Sequence, residues 1–207
     1  MRKLCGSSGL LLISLLCFFG FSSASYCQIT MTVRQVGPDV VVQASGSANT
    51  NSSTYVPLSG VVGGEVDPSQ GGTIYVSGTA SGIYFQPPNF SGPNSIGAGV
   101  NHGASTGSGD WVGIWMGQSA VLVPAVYVSG QGLSGTGTYS STTIAALGMT
   151  PGTYTWTWGT GGNADSFVLT IESPVSVPTL SEWAQMMLAL MVIGVAWHFH
   201  NKDQNSY

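Results

Sequence analysis

Between residues 153 and 158 three threonines alternate with three aromatic side chains: Thr153, Thr155 and Thr157 against Tyr154, Trp156 and Trp158. A period of two sets the rings on one face of an extended strand and the hydroxyls on the other. Pro151-Gly152 opens the run with a turn, and residues 159–163 form a glycine-rich loop. Phe167, Leu169 and Ile171 then alternate with Ser166, Val168 and Thr170. The spacing predicts a two-strand hairpin with one apolar face.

The rest of the chain repeats this theme more faintly. Residues 29–35 and 39–44 flank Val36-Gly37-Pro38 and read as a second hairpin. Residues 72–78 and 82–86 read as another pair, closed by Pro87-Pro88. Residues 111–116 and 121–128 read as a third, joined across Gly117-Gln118-Ser119. Pro124 inside the last run calls for an edge position or a bulge. Stretches 45–53, 89–108 and 130–137, rich in Gly and Ser, read as flexible loops. Eight or nine short strands with almost no helical periodicity imply an all-β fold. The expected form is an antiparallel β-sandwich, with a closed β-barrel as the alternative.

The two ends are of another kind. Arg2 and Lys3, the apolar residues 10–21 and the small residues Ser22-Ser23-Ala24 are the three parts of a secretory signal peptide, residues 1–24. Cleavage is expected after Ala24, with Ser25 as the alternative, following passage through the general secretion machinery. Near the other end, residues 184–199 carry only Gln185 and His198 as polar side chains, with Trp183 and Trp197 close to the two limits. As a helix this run is about 24 Å long, slightly short of a hydrocarbon core of about 30 Å. A helix packed on a domain would show a polar face, so a single transmembrane helix is expected, followed by a short cytoplasmic tail, 200–207. Residues 25–176, about 150, suit one domain.

Charge nearly vanishes in that domain. Arg34 is its one basic residue, against Asp39, Glu65, Asp67, Asp110, Asp165 and Glu172. Nucleic-acid binding relies on Lys and Arg neutralising phosphates, so that class is excluded. Cys5 and Cys17 lie in the signal peptide, which leaves Cys27 without a disulfide partner in the mature chain. One histidine, His102, near Ser105, Ser108 and Asp110, lacks any nucleophile-elbow context. Glu65 and Asp67 fall far short of a calcium loop, and one His with one Cys cannot hold zinc. No catalytic residue, metal or cofactor is expected. The more serious candidate is aromatic. Trp111, Trp115, Tyr154, Trp156 and Trp158 could stack on the sugar rings of an extracellular polysaccharide, with Tyr75, Tyr84 and Tyr127 as further contributors. The competing and favoured reading puts these rings in the core.

Val177-Pro178-Thr179-Leu180-Ser181-Glu182-Trp183, run directly into the apolar stretch, resembles the C-terminal sorting signal of the IPTL-CTERM class, a relative of PEP-CTERM. Pro178, Thr179, Leu180 and Trp183 fall at the expected spacing. Val177 stands for the usual isoleucine and Ala184 for a common glycine. The tail offers His198, His200 and Lys202 in place of arginines, with Asp203 opposing them. Residues 145–159 and 163–167, with Arg34–Val42 and Tyr127-Val128-Ser129-Gly130, are similar to segments of PEP-CTERM-type surface proteins, so the resemblance spans most of the chain. It implies a membrane transpeptidase of the exosortase type as partner. It also implies inner-membrane anchoring before sorting, then a cell-surface or extracellular location in Gram-negative bacteria making extracellular polysaccharide. No catalytic activity comes with it.

Overall fold

A computed structural model describes residues 27–51, 53–59, 63–78, 81–174 and 180–204. The expected signal peptide, residues 1–24, lies outside them. Among the described residues thirteen strands and one α-helix follow in chain order: β1 (Gln28–Val36), β2 (Asp39–Ser47), β3 (Thr54–Ser59), β4 (Gly63–Val66), β5 (Thr73–Ser77), β6 (Ser81–Gln86), β7 (His102–Gly103), β8 (Thr106–Gly109), β9 (Val112–Trp115), β10 (Ala120–Pro124), β11 (Gly132–Tyr139), β12 (Gly152–Trp158), β13 (Asp165–Ile171) and α1 (Leu180–Gln204). Among the described residues the fold is all-β apart from α1 and two short 3-10 turns, Met116–Gln118 and Gly161–Asn163.

Alternation builds the first sheet, ordered β12-β13-β1-β2-β11-β8. In β12 the indoles of Trp156 and Trp158 are buried and the threonines face out, while β13 buries Phe167, Leu169 and Ile171. The pair is antiparallel in the expected register, with Trp156 opposite Phe167. Residues β1 and β2 form the expected hairpin across a turn at Gly37, whose φ of 59° suits a residue without a Cβ. One pairing departs from the antiparallel expectation. Strand β1 runs parallel to β13, from Gln28 opposite Ser166 to Val33 opposite Ile171. The first described residues and the exit toward α1 therefore lie at opposite ends of this sheet.

The second sheet is ordered β3-β6-β10-β9-β5-β4-β7. The β9–β10 hairpin forms as expected. Residues 72–78 and 82–86 do become strands, β5 and β6, but they are not partners: β9 and β10 lie between them. Pro124 is at neither an edge nor a bulge. It is the last residue of the interior strand β10, opposite Gly82, where a missing N–H ends the ladder without breaking it. One core cluster joins the inner faces of both sheets, from Ile29, Val42, Leu133 and Trp156 to Ile74, Phe85, Ile114 and Val121.

Two of the expected loops carry strand. Residues 45–47 complete β2, and 132–139 form β11, which pairs on both sides. Its inward positions are Leu133, Gly135, Gly137 and Tyr139. A Cβ on Gly135 would stand 2.6 Å from the Asp110 carbonyl oxygen and 2.8 Å from a Val76 methyl, and one on Gly137 would stand 2.8 Å from the Gly63 carbonyl oxygen. These glycines mark a close approach of β11 to the other sheet, the circumstance in which glycine belongs in a strand interior. The 89–108 stretch holds β7, most of β8 and the fully buried Ile96.

Candidate functional site

Of the four tryptophans weighed as a sugar platform, three are buried in the core, the reading favoured from the sequence. Trp156, Trp158 and Trp111 are 0%, 3% and 1% exposed. Trp156 packs edge-on against Phe167, and Trp158 edge-on against Phe85. Trp111 stacks on the buried Tyr75 with ring centroids 5.2 Å apart and lies where a Cβ on Gly82 would stand. Only Trp115 keeps part of its surface, edge-on to the half-buried Tyr84. Apolar burial outweighs display, as expected where each large aromatic ring removes so much area from water. Tyr127 is structural as well. Its hydroxyl accepts from the Ala48 N–H at 2.8 Å and donates to the Gln131 carbonyl at 2.7 Å.

The hydroxyls and carboxylate around His102 serve the strands. Ser105 Oγ accepts from the Ser140 N–H, Asp110 Oδ2 accepts from the Ser134 N–H, and Ser108 shares a hydroxyl hydrogen bond with Thr136. Asp67 closes its own turn, accepting from the N–H and hydroxyl of Ser69. Among the described residues no three His, Cys, Asp or Glu side chains converge. Asp165, 5% exposed, ties β13 to the loop after β2 by accepting the Asn49 N–H at 2.6 Å. Burial pushes its pKa up to about 6, against the pull of N–H donors from Asn49 and Ser166.

Of the residues expected to form a sorting motif, Val177, Pro178 and Thr179 lie outside the described residues, while Leu180, Ser181, Glu182 and Trp183 open α1. Glu182 in the first turn complements the helix dipole. Every described side chain from Glu182 to Lys202 is exposed, including ten large apolar ones from Trp183 to Trp197. Residues 186–193 alone place apolar side chains on all sides of the helix.

A site that the sequence left unread lies at one end of the second sheet. Three loops meet there: 67–72, 90–94 and 116–119. They enclose a cleft of about 590 Å³ lined by Gln70, Phe90, Ser91, Asn94, Met116 and Ser119, with the glycines and Pro93 between them. Backbone hydrogen bonds staple the walls. The Gly71 N–H donates to the Asn94 carbonyl at 2.8 Å, the Gly117 N–H to the Gly71 carbonyl at 3.0 Å, and the Ser91 N–H to the Thr157 carbonyl at 2.9 Å. The Trp156 indole N–H holds the Pro93 carbonyl at 2.8 Å. Met116 is the buried floor, while Gln70, Ser91, Asn94 and Ser119 are exposed. Ser119 takes a left-handed φ of 51°, unusual for a residue with a Cβ. No single segment carries a pattern for this cleft; the only local hint was the turn-rich run Ser91-Gly92-Pro93-Asn94.

Comparison of the chain with protein-family models, with characterised proteins and with solved structures finds no match in any of the three.

Proposed function

We propose that this chain is an exported, non-enzymatic protein of the cell envelope or extracellular matrix. Its β domain, 25–176, follows a signal peptide, 1–24, and the two sheets pack as a β-sandwich. Two separate sheets sharing one core favour that arrangement over a closed barrel. The domain is held at the inner membrane by α1 until an exosortase-type transpeptidase reads residues 177–183 and passes it to the surface.

The observation that carries this reading is α1 itself. A helix apolar on all sides with every described side chain exposed buries nothing against protein, and lipid is the solvent that suits it. The apolar window Glu182–Lys202 is about 32 Å long at 1.5 Å per residue, against a hydrocarbon core of about 30 Å. The residues beyond the 184–199 apolar run, Glu182, Trp183, His200, Asn201 and Lys202, are polar or interfacial and suit the headgroup layers at its two ends.

A Pro178→Ala/Thr179→Ala double variant tests the sorting step. The protein should accumulate, folded and at full length, in the inner membrane. Normal arrival of the variant at the surface, with soluble release on deletion of residues 184–199, would reduce the tail to a simple anchor.

A further inference from the structure

We infer that the cleft between loops 67–72, 90–94 and 116–119 is a binding site for a short, uncharged stretch of an oligosaccharide chain. The argument is independent of how the chain is anchored.

Size comes first. A cavity of about 590 Å³ falls inside the range of small-molecule sites, roughly 300–1,000 Å³, and is far too large for a lone ion. Charge comes next. The lining carries no acidic or basic side chain, so neither a cation nor an anion would regain there what it loses on leaving water. Arg34, the one basic residue of the domain, belongs to β1 in the other sheet. An anionic polymer finds no counter-charge here.

The lining that remains has a definite chemistry. Gln70 and Asn94 supply amides that both donate and accept, and Ser91 and Ser119 supply hydroxyls. Paired hydroxyls on a sugar ring need this mixture of donors and acceptors. The half-buried ring of Phe90 and the thioether of Met116 supply the apolar contact that the C–H face of a sugar offers. An extended peptide would instead seek an open sheet edge with pockets for alternate side chains, whereas this cleft is walled by turns.

The walls are also set in advance. A Cβ on Gly92 would stand 2.3 Å from the Trp156 ring, and one on Gly117 would stand 2.4 Å from the Gly71 carbonyl oxygen. The loops therefore touch where only glycine lets them, and binding need not order them, which removes one of the usual costs of association.

The test uses the full chain in lipid nanodiscs, which avoids sugar-headed detergents. Saturation-transfer NMR is recorded with neutral oligosaccharides cut from cellulose, mannan and starch. An oligogalacturonate serves as the anionic counterpart, and a serine- and asparagine-rich peptide as the other polymer class. At least one neutral oligosaccharide should bind, and neither the galacturonate nor the peptide should. Gln70→Ala/Asn94→Ala should weaken binding about tenfold or more, the loss expected from two hydrogen bonds, with the unfolding midpoint unchanged. Phe90→Leu, which keeps an apolar contact with the core, should weaken binding as well. Three results would overturn the inference: no neutral oligosaccharide binds, the galacturonate or the peptide binds better, or the double variant binds as well as the parent.

Discussion

The indole N–H of Trp156 donates to the carbonyl of Pro93 at 2.8 Å, joining an edge strand of the first sheet to a loop of the second. The ring is fully buried against Phe167, and its polar edge is spent on holding a wall of the cleft. Core packing and site geometry thus meet in one side chain.

Trp156→Phe should therefore do two things. Loss of ring volume, with the Pro93 carbonyl left unpaired, should destabilise the fold by about 2–3 kcal/mol in urea unfolding. Oligosaccharide binding should fall as well, because the 90–94 wall loses its tie. A variant as stable as the parent would show that this hydrogen bond does not form in solution.

Two glycines of β11 should respond differently to a methyl group. Around Gly132 a new Cβ meets nothing within 4 Å, whereas at Gly135 it meets backbone oxygen at 2.6 Å. Gly132→Ala should be within about 0.5 kcal/mol of the parent. Gly135→Ala should cost about 1–3 kcal/mol by overpacking. Thermal unfolding of the two side by side checks the approach of β11 to the other sheet.

Asp165 predicts a pH dependence. Its folded pKa is raised from 3.8 to about 6, first by burial, so in between the folded chain holds a proton that the unfolded chain has released. Stability from this group is fully present below about pH 4 and is lost as pH rises through about 6. Urea midpoints measured across that window should fall with pH in the parent, and Asp165→Asn should flatten the fall.

Ending the chain at residue 174 should leave the β domain as stable as before, within about 0.5 kcal/mol, because the described side chains of α1 bury nothing against it. Calorimetry on the truncated and full chains reads this directly. A drop of several degrees would mean that α1 packs on the sheets.

Strand alternation was legible wherever large side chains carried it. Tyr154, Trp156 and Trp158, then Phe167, Leu169 and Ile171, disclosed β12, β13 and their shared inner face, because a period of two is a local property of extended backbone. The apolar run near the C-terminus was legible for the same reason, since its length and lack of a polar face are written residue by residue. The partners of the strands were not. Nothing in residues 28–33 or 166–171 announces a parallel pairing, and β5 and β6 look like neighbours until β9 and β10 enter between them. Strand β11 was hidden because Gly135 and Gly137 face inward without a side chain to mark the period; the ladders with β2 and β8 make them strand residues, and the nearness of Val76 and Gly63 makes them glycine. The cleft was hidden more deeply. Gln70, Phe90, Asn94 and Ser119 have no common motif, and each is an ordinary loop residue in its own segment. What makes them a site is distance in space, set when two sheets close over one core and bring three unrelated turns together.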